Sequence, residues 1–472
     1  MKTYAACIGG DFRELFTTFD VINPYTNRIF ARCSLAGKPE LEDAISAAQA
    51  VENEMATLPS HKKQTILNGI AQGLQDERNE LAKLLAQEAG KPLKYALGEV
   101  DRAIQTYRIA AEECKWLPAE YIQLDWTPAG EGKEGLVKYF PIGLVAGISP
   151  FNFPLNLTSH KIAPAIAAGC PIILKPARST PCSALEIARI AYSAGLPKGA
   201  LSILPMDRIA GNQLVTDERF KLLSFTGSPQ VGWKMKEMAG KKKVVLELGG
   251  NAGVVVSPSA NIDKAVSKCV TGAFAYSGQV CIHTQRIYVH TSIFDAFIEK
   301  ISELTAKLVI GDPLEPSTDI SAMIDEENAN RVAIWVQEAI QGGAKLIAGG
   351  KQKGNVYEPT ILTKTTPSMK VCCEEIFGPV AIVEPYQDFM EAISAINNSP
   401  FGLQAGVFTN QLDEEQIAFN ELKVGGVIIN DVPTFRVDHM PYGGIKDSGL
   451  GREGIKYAMH DMMEPKLLVR GL

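Results

Sequence analysis

The sequence predicts an α/β protein with two doubly wound parallel-sheet (Rossmann-like) domains and a small β oligomerisation hairpin and strand. From residue 137 onward, short apolar runs alternate with amphipathic segments, and Gly, Pro, Ser or Asn residues separate them. Strands that alternate with helices are typical of parallel sheets with helices on both faces. The alternation restarts after residue 243, and 472 residues are too many for one ordinary hydrophobic core. We therefore expect two α/β domains.

The individual elements follow from apolar spacing. Residues 40–116 place apolar side chains at helical intervals, beginning with Leu41, Ala44, Ile45 and Ala48, and predict a helical lead-in. The first domain is then predicted to contain strands at 143–148, 171–175, 201–204 and 221–225, and helices at 155–168, 184–194 and about 229–239. The second is predicted to contain strands at 244–247, 252–257 and 286–290, a helix from 263 and another over 292–308.

Two segments fall outside this alternation. Residues 119–138 are typical of a hairpin around a Pro/Gly-rich turn, and residues 464–470 are typical of a single short strand. Such strands would leave exposed edges, and pairing with another subunit is one way to cover them. The predicted boundaries are 1–118 with 139–243 for the first domain, 244–443 for the second, and 119–138 with 444–472 for the bridging segment.

Composition excludes several classes of partner. The net charge is −6, and the longest basic run is Lys241–Lys243, which argues against nucleic acid or an anionic membrane. No apolar run approaches the roughly 20 residues of a membrane span, and the N-terminus lacks a secretory apolar region. Nine scattered cysteines without a C-x-x-C pair suit reduced thiols, so we expect a cytoplasmic protein. Cys372 and Cys373 have no partner cluster at metal-site spacing, so no metal is expected.

A thiol and a carboxylate occupy positions that favour chemistry. Cys281 lies in the small-residue turn Tyr276–Ile282 between a helical pattern and a strand pattern. Glu247 ends a β-branched run just before Gly249 and Gly250. A thiolate can add to an electrophilic carbon, and a carboxylate can activate the water that releases the acyl product. On its own, Cys281 is better explained as a small buried apolar residue.

Three turns at predicted strand ends are candidates for ligand binding. Gly227 and Ser228 lead from a strand into a helix start that can receive a phosphate, although the segment is neither a Walker A loop nor a G-x-G-x-x-G loop. Asn152, within Ser149–Pro154, could donate a hydrogen bond to a developing oxyanion. Lys175 ends a strand, where it could reach ribose hydroxyls or a phosphate. Taken singly, these are explained as well by an ordinary turn, a capping Asn and a surface lysine.

Seven short motifs in a fixed order carry a resemblance to a known family. They are Ser149–Pro154, Lys175–Ala177, Phe225–Ser228, Glu247–Gly250, Gly278–Cys281, Glu375–Val380 and Pro441–Gly449. In this series the chain resembles the aldehyde dehydrogenase superfamily over essentially its entire length. The string from Ala275 to Arg286 resembles the lactaldehyde dehydrogenase-like branch more than the betaine or retinal branches.

The resemblance implies an NAD(P)-dependent oxidation of an aldehyde to a carboxylic acid. By motif position, Cys281 attacks the aldehyde as a thiolate, while Asn152 and the Cys281 amide hold the thiohemiacetal oxyanion. Hydride transfer leaves a thioester, which water activated by Glu247 hydrolyses. The resemblance also implies that 1–118 with 139–243 binds the cofactor, that 244–443 carries the thiol, and that the bridging segment assembles a homodimer or homotetramer.

The same matching implies the cofactor contacts. Glu375 is expected at the nicotinamide ribose and Phe377 beside the nicotinamide. Lys175 is expected at the adenine ribose, Ser228 at the pyrophosphate, and Lys161 as an electrostatic support. The other expected contacts are Ser149, Phe151, Ala177, Gly227, Leu248 and Gly249.

Arg178 bears on the choice of cofactor. Many NAD-preferring relatives carry a glutamate directly after the Lys-Pro-Ala motif, where it binds ribose hydroxyls, but this chain has an arginine. An arginine can pair with a 2′-phosphate, and its presence removes an anion that would repel one. We expect NADP to be accepted and leave NAD use open. The alternative is a solvent-exposed Arg178 that touches nothing.

The substrate is less specified than the chemistry. An anionic or hydroxylated aldehyde needs hydrogen-bond donors near the pocket. The candidate donors are Arg102, Arg108, His160, His283, Arg436 and His439. Tyr276, Phe151 and Phe435 would instead line an apolar pocket. Each has an ordinary structural explanation, so small hydroxyaldehydes, semialdehydes and medium-sized aldehydes all stay open.

Two rival functions also stay open. In a CoA-acylating semialdehyde dehydrogenase a thiol rather than water takes the acyl group, and Glu247 argues against this. A non-catalytic scaffold could keep the fold and lose the activity, but the presence of Asn152, Glu247 and Cys281 favours an enzyme.

Overall fold

A computed structural model of the chain describes residues 2–471, and its N-terminal part contains the helical lead-in that the sequence predicts. Short strands, which apolar spacing did not reveal, precede the helices. The elements are β1 (Lys2–Tyr4), β2 (Ala6–Ile8), β3 (Asp11–Arg13), β4 (Thr18–Asn23), β5 (Arg28–Ser34), α1 (Lys38–Thr57), α2 (Ser60–Asp76), α3 (Arg78–Ala89) and α4 (Leu93–Glu113). Each helix buries one apolar face, as the spacing predicts for helices packed on a core.

Residues 119–247 form the predicted hairpin and most of the first sheet. The elements are β6 (Ala119–Gln123), β7 (Lys133–Pro141), β8 (Val145–Ile148), α5 (Asn156–Ala168), β9 (Ile172–Lys175), α6 (Cys182–Ser193), β10 (Leu201–Ile203), α7 (Arg208–Thr216), β11 (Leu222–Thr226), α8 (Pro229–Met238) and β12 (Lys243–Glu247). Strands β12, β11, β8, β9 and β10 lie side by side and parallel, and β2 and β3 extend this sheet in antiparallel pairing.

The second sheet is built from the part of the chain that follows β12. Its elements and their neighbours are β13 (Ala252–Val256), α9 (Ile262–Phe274), β14 (Thr284–His290), α10 (Phe294–Thr305), α11 (Glu326–Gln341), β15 (Lys345–Ala348), β16 (Gln352–Lys353), β17 (Val356–Tyr357), β18 (Thr360–Thr363), α12 (Lys370–Cys373), β19 (Val380–Tyr386), α13 (Phe389–Asn397), β20 (Phe401–Gly402), β21 (Gln404–Phe408), α14 (Leu412–Glu421) and β22 (Gly426–Ile429). The sheet order is β15, β18, β19, β14, β13, β21, β22, and only β15 is antiparallel. The predicted fold class is therefore confirmed.

The C-terminal segment returns to the first half of the molecule. Its elements are β23 (Ile445–Lys446), β24 (Gly449–Leu450), α15 (Ile455–Asp461) and β25 (Met463–Gly471). Strand β25 pairs antiparallel with β7, and β7 pairs with β6, which gives a three-stranded sheet. The expectation that the last strand has no partner in its own chain was wrong, because β7 supplies its backbone hydrogen bonds. The free edges of this sheet belong to β25 and β6.

Two predicted boundaries need correction. Strand β12 was expected to begin the second domain at residue 244, but it pairs in parallel with β11 and belongs to the first sheet. An apolar run identifies a strand without identifying its neighbour, which depends on contacts far apart in sequence. Similarly, residues 444–462 are not part of the bridging sheet, since β24 pairs with β12 and α15 packs against α4 and α5.

Within residues 2–471, no helix combines the length and apolarity that crossing a membrane requires. All nine cysteines are free thiols, and seven of them are buried. Over the same residues, no group of three or more His, Cys, Asp or Glu side chains is arranged to hold a metal ion.

Candidate active site

A cavity of about 580 Å³ lies at the carboxyl ends of β8, β9, β11 and β12, and segments that lead into β14 and β19 close its other side. Open α/β sheets bind ligands at this edge. The predicted residues that line the cavity are Ser149, Phe151, Asn152, Ala177, Gly227, Ser228, Glu247, Leu248, Gly249, Cys281, Glu375 and Phe377. Those that do not line it are Lys161, Lys175, Arg178, Tyr276, His283, Phe435, Arg102, Arg108, His160, Arg436 and His439.

The turn before Cys281 is held in an unusual backbone conformation. Tyr276 and Ser277 have backbone φ values of 50° and 52°, which residues other than glycine rarely adopt. The Ser277 hydroxyl donates to the carbonyl of Ser321 at 2.8 Å and so fixes the turn. A side chain at Gly250 would lie 2.2 Å from the carbonyl oxygen of Cys281, so only glycine permits this close approach. The thiol is thus presented by a tightly constrained loop.

The Cys281 thiol contacts a tyrosine to which the sequence patterns assigned no role. Its Sγ lies 3.0 Å from the hydroxyl of Tyr442, and the Arg436 guanidinium lies 3.7 Å from the centre of the Tyr442 ring. Burial raises the pKa of Cys281 to about 11, and the hydrogen bond from Tyr442 opposes that increase. Tyr442 falls within the quoted Pro441–Gly449 motif, so the motif itself was the available signal.

Asn152 connects the turn after β8 to the thiol loop. Its Nδ2 donates to the carbonyl of Gln279 at 2.9 Å, and the residue is buried. Among residues 2–471 this is the only acceptor of the amide, so its second N–H is available to a ligand. Such a donor beside a thiol suits an oxyanion that develops on an added aldehyde.

Glu247 ends β12 as a buried carboxylate. Both of its oxygens lack a partner within residues 2–471. Burial raises the pKa of Glu247 well above the ordinary carboxyl value, and the charge of Glu453 raises it further. A side chain at Gly443 would come within 2.8 Å of the Glu247 carboxylate, so this glycine leaves it room. A carboxylate with a raised pKa suits a general base that works near neutral pH.

A second buried carboxylate, Glu453, has the opposite electrostatic character. It accepts a hydrogen bond of 2.8 Å from Arg436, and Lys161 lies 3.7 Å away. Burial pushes the pKa of Glu453 upward, but Arg436, Lys161 and His160 outweigh burial and hold it well below its usual range. Lys161 also donates to the hydroxyls of Thr226 and Ser224 at 2.8 and 3.0 Å. Two neighbouring carboxyls therefore have pKa values pushed in opposite directions, as acid–base sites require.

The cavity wall beside the thiol has the features of a nucleotide site. Glu375 accepts the Gly250 amide at 2.9 Å, and burial raises the pKa of Glu375 to about 7. A side chain at Gly249 would lie 2.3 Å from the Glu375 carboxylate. Phe151 and Phe377 pack edge to face, with ring centres 5.8 Å apart. These surfaces suit a flat ring and a sugar with hydroxyl groups.

Three cationic side chains lie near the end of β9. Burial lowers the pKa of Lys175, whose side chain passes 2.9 Å from the position of a side chain at Gly211 in α7. Arg178 is exposed, and its guanidinium lies 5.0 Å from the centre of the Phe19 ring. Arg208 of α7, which the sequence patterns did not single out, is close enough to affect the pKa of Lys175. Over residues 2–471 none of these three cations forms an ion pair.

The aldehyde dehydrogenase family model matches residues 13–468. The chain belongs to the aldehyde dehydrogenase family. It is therefore an oxidoreductase, and NAD or NADP is its cofactor.

Several proteins are similar to this aldehyde dehydrogenase over 95% or more of its length. It is 42% identical to the 3-sulfolactaldehyde dehydrogenase of Priestia aryabhattai, covering 100% of this chain and 99% of that protein. It is 41% identical to a lactaldehyde dehydrogenase of Methanococcus aeolicus, over 95% and 96% of the two chains. The structure of aldehyde dehydrogenase 21 from Physcomitrella patens with the reaction product succinate is 45% identical, with a TM-score of 0.98 over 100% and 98%.

A fourth comparison bears on the nucleotide. The NADP complex of glyceraldehyde-3-phosphate dehydrogenase from Methanocaldococcus jannaschii is 38% identical, with a TM-score of 0.93 over 98% of this chain and 100% of that one.

The predicted substrate residues of this aldehyde dehydrogenase occupy different environments. Tyr276 is a buried residue whose hydroxyl donates to the carbonyl of Ala89 at 2.9 Å. Burial lowers the pKa of His283 to about 4, so this imidazole is neutral. Phe435 is half exposed.

Two other predicted donors share one acceptor. His160 and Arg102 both bind Asp438, at 2.8 and 2.7 Å. Arg108 and His439 are exposed. Of the predicted donors, Arg436 packs against the tyrosine that contacts the thiol.

Proposed function

We propose that this aldehyde dehydrogenase oxidises a small hydroxyaldehyde or semialdehyde with an anionic or strongly polar tail to the carboxylic acid. The observation that carries this substrate class is the buried Arg436, whose guanidinium packs on Tyr442 beside Cys281. Its Nε has no acceptor within residues 2–471, but that atom is enclosed and Arg436 does not line the cavity, so an anionic tail would have to reach it past the Tyr442 ring. The names of the similar proteins agree, because sulfolactaldehyde carries a sulfonate and succinate carries a carboxylate.

In the proposed mechanism Cys281 gives its proton to solvent, and the thiolate Sγ forms a bond to the aldehyde carbon while the carbonyl π electrons move to the oxygen. The Asn152 side-chain amide and the Cys281 backbone amide stabilise the oxyanion of the resulting thiohemiacetal. A nicotinamide held by Glu375 and Phe377 would supply the acceptor for the hydride that leaves the thiohemiacetal carbon, and this loss would convert the thiohemiacetal on Cys281 into a thioester. Glu247 then takes a proton from water as the water attacks the thioester, and the carboxylic acid leaves with the thiol restored. Burial, followed by the charge of Glu453, raises the pKa of Glu247.

The cofactor is proposed to lie in the cavity, with the dinucleotide held by residues of both domains. Glu375 would bind the nicotinamide ribose, Phe377 would pack beside the nicotinamide, and Ser228 at the start of α8 would face the pyrophosphate. The remaining proposed contacts are Ser149, Phe151, Ala177, Gly227, Leu248 and Gly249. The fit is supported by glycines 249 and 250, where a side chain would fill the space beside Glu375 and the thiol loop.

NADP is proposed as the better cofactor. Lys175, Arg178 and Arg208 outnumber Asp207 near the end of β9, and a 2′-phosphate would neutralise part of the excess positive charge. The expected result is a higher kcat/KM with NADP than with NAD, and a loss of that difference in Arg178→Met. A strong preference of the wild type for NAD would contradict the role of Arg178.

The substrate class can be tested with a panel of aldehydes followed by absorbance at 340 nm. Wild type should show a higher kcat/KM for aldehydes with a carboxylate or sulfonate than for propanal or benzaldehyde. Arg436→Met should lower kcat/KM for anionic aldehydes about 10- to 150-fold relative to propanal, the value of a charge-assisted hydrogen bond. The ratio between substrates is decisive, because Arg436 also contacts Glu453 and Tyr442. If Arg436→Met leaves the ratio of kcat/KM for anionic aldehydes to that for propanal unchanged, groups other than Arg436 bind the anionic tail of the substrate.

The CoA-acylating alternative makes a different prediction for Glu247. If water is the acyl acceptor, Glu247→Gln should retain a first-turnover burst of NAD(P)H and lose steady turnover. Steady turnover at the wild-type rate would remove Glu247 from this role, and stimulation by CoA would favour the alternative. A folded protein that binds cofactor but gives no 340 nm signal with any aldehyde would indicate a scaffold.

A homodimer or homotetramer is also proposed. The sheet of β6, β7 and β25 exposes Tyr121, Leu467, Leu468 and Val469, and its two edges are open. Contact with a second copy would cover both features. Light scattering after size exclusion should give at least twice the chain mass of 51.1 kDa. A monomer would contradict the proposal.

A further inference from the structure

A buried ion pair beneath the active site has no role in the steps above. Lys91, between α3 and α4, is paired with Glu99 of α4, and both side chains are completely buried. Burial of two charges is expensive unless further interactions compensate for the lost hydration. Each member of the pair has such interactions, and they lead to the two loops that carry the reacting groups.

The Glu99 carboxylate binds the chain directly after the Asn152 turn. Its Oε1 accepts the backbone amides of Leu155 and Asn156 at 2.9 and 3.1 Å. These amides belong to the start of α5, where the helix dipole favours a negative charge. Glu99 therefore fixes the position at which the turn with Asn152 joins the helix.

The Lys91 ammonium lies against the rings of Phe153 and Tyr276. Its Nζ is 3.8 Å from the centre of the first ring and 4.4 Å from the centre of the second. The rings pack edge to face, with centres 6.1 Å apart. Phe153 follows Asn152 directly, and Tyr276 lies in the turn that precedes Cys281. Cation–π contacts gain strength when the cation is desolvated, as it is here.

We infer that Lys91 and Glu99 are positioning residues that hold the Asn152 turn against the thiol loop. The carboxylate fixes one side of the turn through backbone amides, and the ammonium joins the aromatic residue of that turn to the aromatic residue of the thiol loop. The direct link between the loops, from the Asn152 amide to the Gln279 carbonyl, lies close to this contact. The inference rests on the proposed function, because it assigns the pair to the geometry of oxyanion donor and nucleophile.

A neutral substitute cannot satisfy both sets of contacts. Methionine matches Lys91 up to Cε but leaves the Glu99 charge without a cation. Glutamine at Glu99 keeps an oxygen for the amides but loses the charge. The two variants therefore separate the contacts of the Lys91 cation with the two rings from the hydrogen bonds of Glu99 to the backbone amides. We expect Lys91→Met to disturb the thiol loop and the turn together, and Glu99→Gln to have the smaller effect on the turn.

The test uses full-length Lys91→Met, with Lys83→Met as the matched control, since Lys83 forms an exposed ion pair with Glu80. Lys91→Met should lower kcat about 10- to 100-fold, the range of a displacement near 1 Å, with a cofactor Kd within about twofold of wild type. In an Asn152→Ala background the same change should lower kcat less than about threefold, because the donor that it positions is gone.

Equal fold losses in both backgrounds, or a matching rise in the cofactor Kd, would show a merely structural role and overturn the inference. If Lys91→Met does not fold, Lys91→Arg replaces it, because arginine retains the cation. The fold loss in kcat that Lys91→Arg causes is then compared with and without Asn152→Ala, and equal losses would again show a merely structural role. Alkylation of Cys281 by iodoacetamide is an independent readout, with Cys281→Ser as the blank. If Lys91→Met alters the alkylation rate of Cys281 but the wild type has no aldehyde activity, only the proposed function is contradicted. If Lys91→Met changes neither the alkylation rate nor kcat, the positioning role is contradicted.

Discussion

Replacement of Tyr442 by phenylalanine removes one hydroxyl from the immediate surroundings of the nucleophile. That hydroxyl lies 3.0 Å from the Cys281 sulfur and is the side-chain hydrogen bond that opposes the raised pKa of the thiol. The phenyl ring of the variant would retain the surface on which Arg436 packs. We therefore expect Tyr442→Phe to fold normally and to have a less acidic thiol.

The size of the effect follows from the hydrogen bond that is lost. A hydrogen bond to a charged group contributes about 1.5 to 3 kcal/mol, which corresponds to a thiolate population about 10- to 150-fold lower at a fixed pH. A thiolate of higher pKa is intrinsically more nucleophilic, with a Brønsted coefficient of about 0.4 to 0.5, and this offsets roughly half of the loss on a logarithmic scale. The alkylation rate of Cys281 should fall about 3- to 20-fold near pH 8.

The measurement is the rate of carbamidomethylation of Cys281 by iodoacetamide between pH 7 and 10, followed by mass spectrometry of the peptide that contains it. The other partly exposed thiol, Cys373, provides an internal reference within each sample. The pre-steady-state burst of NAD(P)H should slow by a similar factor if addition of the thiolate limits that phase.

Superimposable pH–rate profiles for wild type and Tyr442→Phe would refute this reasoning. They would mean that the hydroxyl donates elsewhere when the thiol ionises. A profile shifted toward lower pH would reverse the assigned direction of the hydrogen bond. A loss of thermal stability with both profiles unchanged would assign Tyr442 to packing alone.

Three further predictions concern stability and space. Because burial raises the pKa of Glu247, the folded chain retains this proton above pH 4.5 while the unfolded chain releases it, so stability falls as pH rises toward the folded value. Glu247→Gln should therefore raise the Tm at pH 8 more than at pH 4.5, as differential scanning fluorimetry would show, and an equal or lower Tm at pH 8 would contradict the burial argument. Gly250→Ala should lower kcat about 100-fold, because its new side chain would meet the Cys281 carbonyl at 2.2 Å. Gly98→Ala meets nothing within 4 Å in α4, so it should retain full activity and stabilise the fold by about 0.5 to 1 kcal/mol in urea unfolding.

The fold was largely predictable because most of its signals are local. The helical lead-in repeats apolar residues within single helices, and the alternation of strands and helices identifies parallel sheets. Strand β12 shows where local reasoning fails. Its neighbours are β11 and β24, and the second of these is about 200 residues away, so no local pattern could assign it to the first sheet. Helix α7 was missed because Gly211, Asn212 and Gln213 interrupt its apolar spacing.

The site residues were likewise predictable where a short motif carries the signal and were missed where it depends on distant partners. Cys281, Glu247 and Asn152 stand in short motifs with recognisable residue types, and the structure brings them to one cavity. The roles of Tyr442 and Glu453 depend on partners more than 160 positions away, or on burial that a charged residue does not reveal in sequence. The Lys91–Glu99 pair is the clearest example, because a separation of eight residues in a polar stretch gives no sign that both charges are enclosed.

The pairing of β24 with β12 also makes the first sheet depend on a segment that is synthesised much later. Glu247 is made about 200 residues before Gly449, its partner across the sheet, and at 5 to 20 residues per second this interval lasts about 10 to 40 s. During that time the edge of β12 is open and its backbone groups can pair with other chains. The interval between the synthesis of β7 and that of its partner β25 is longer still. A nascent chain of this enzyme is thus exposed to aggregation after the parallel strands of its first sheet have formed, and a stop codon near position 440 would make that condition permanent.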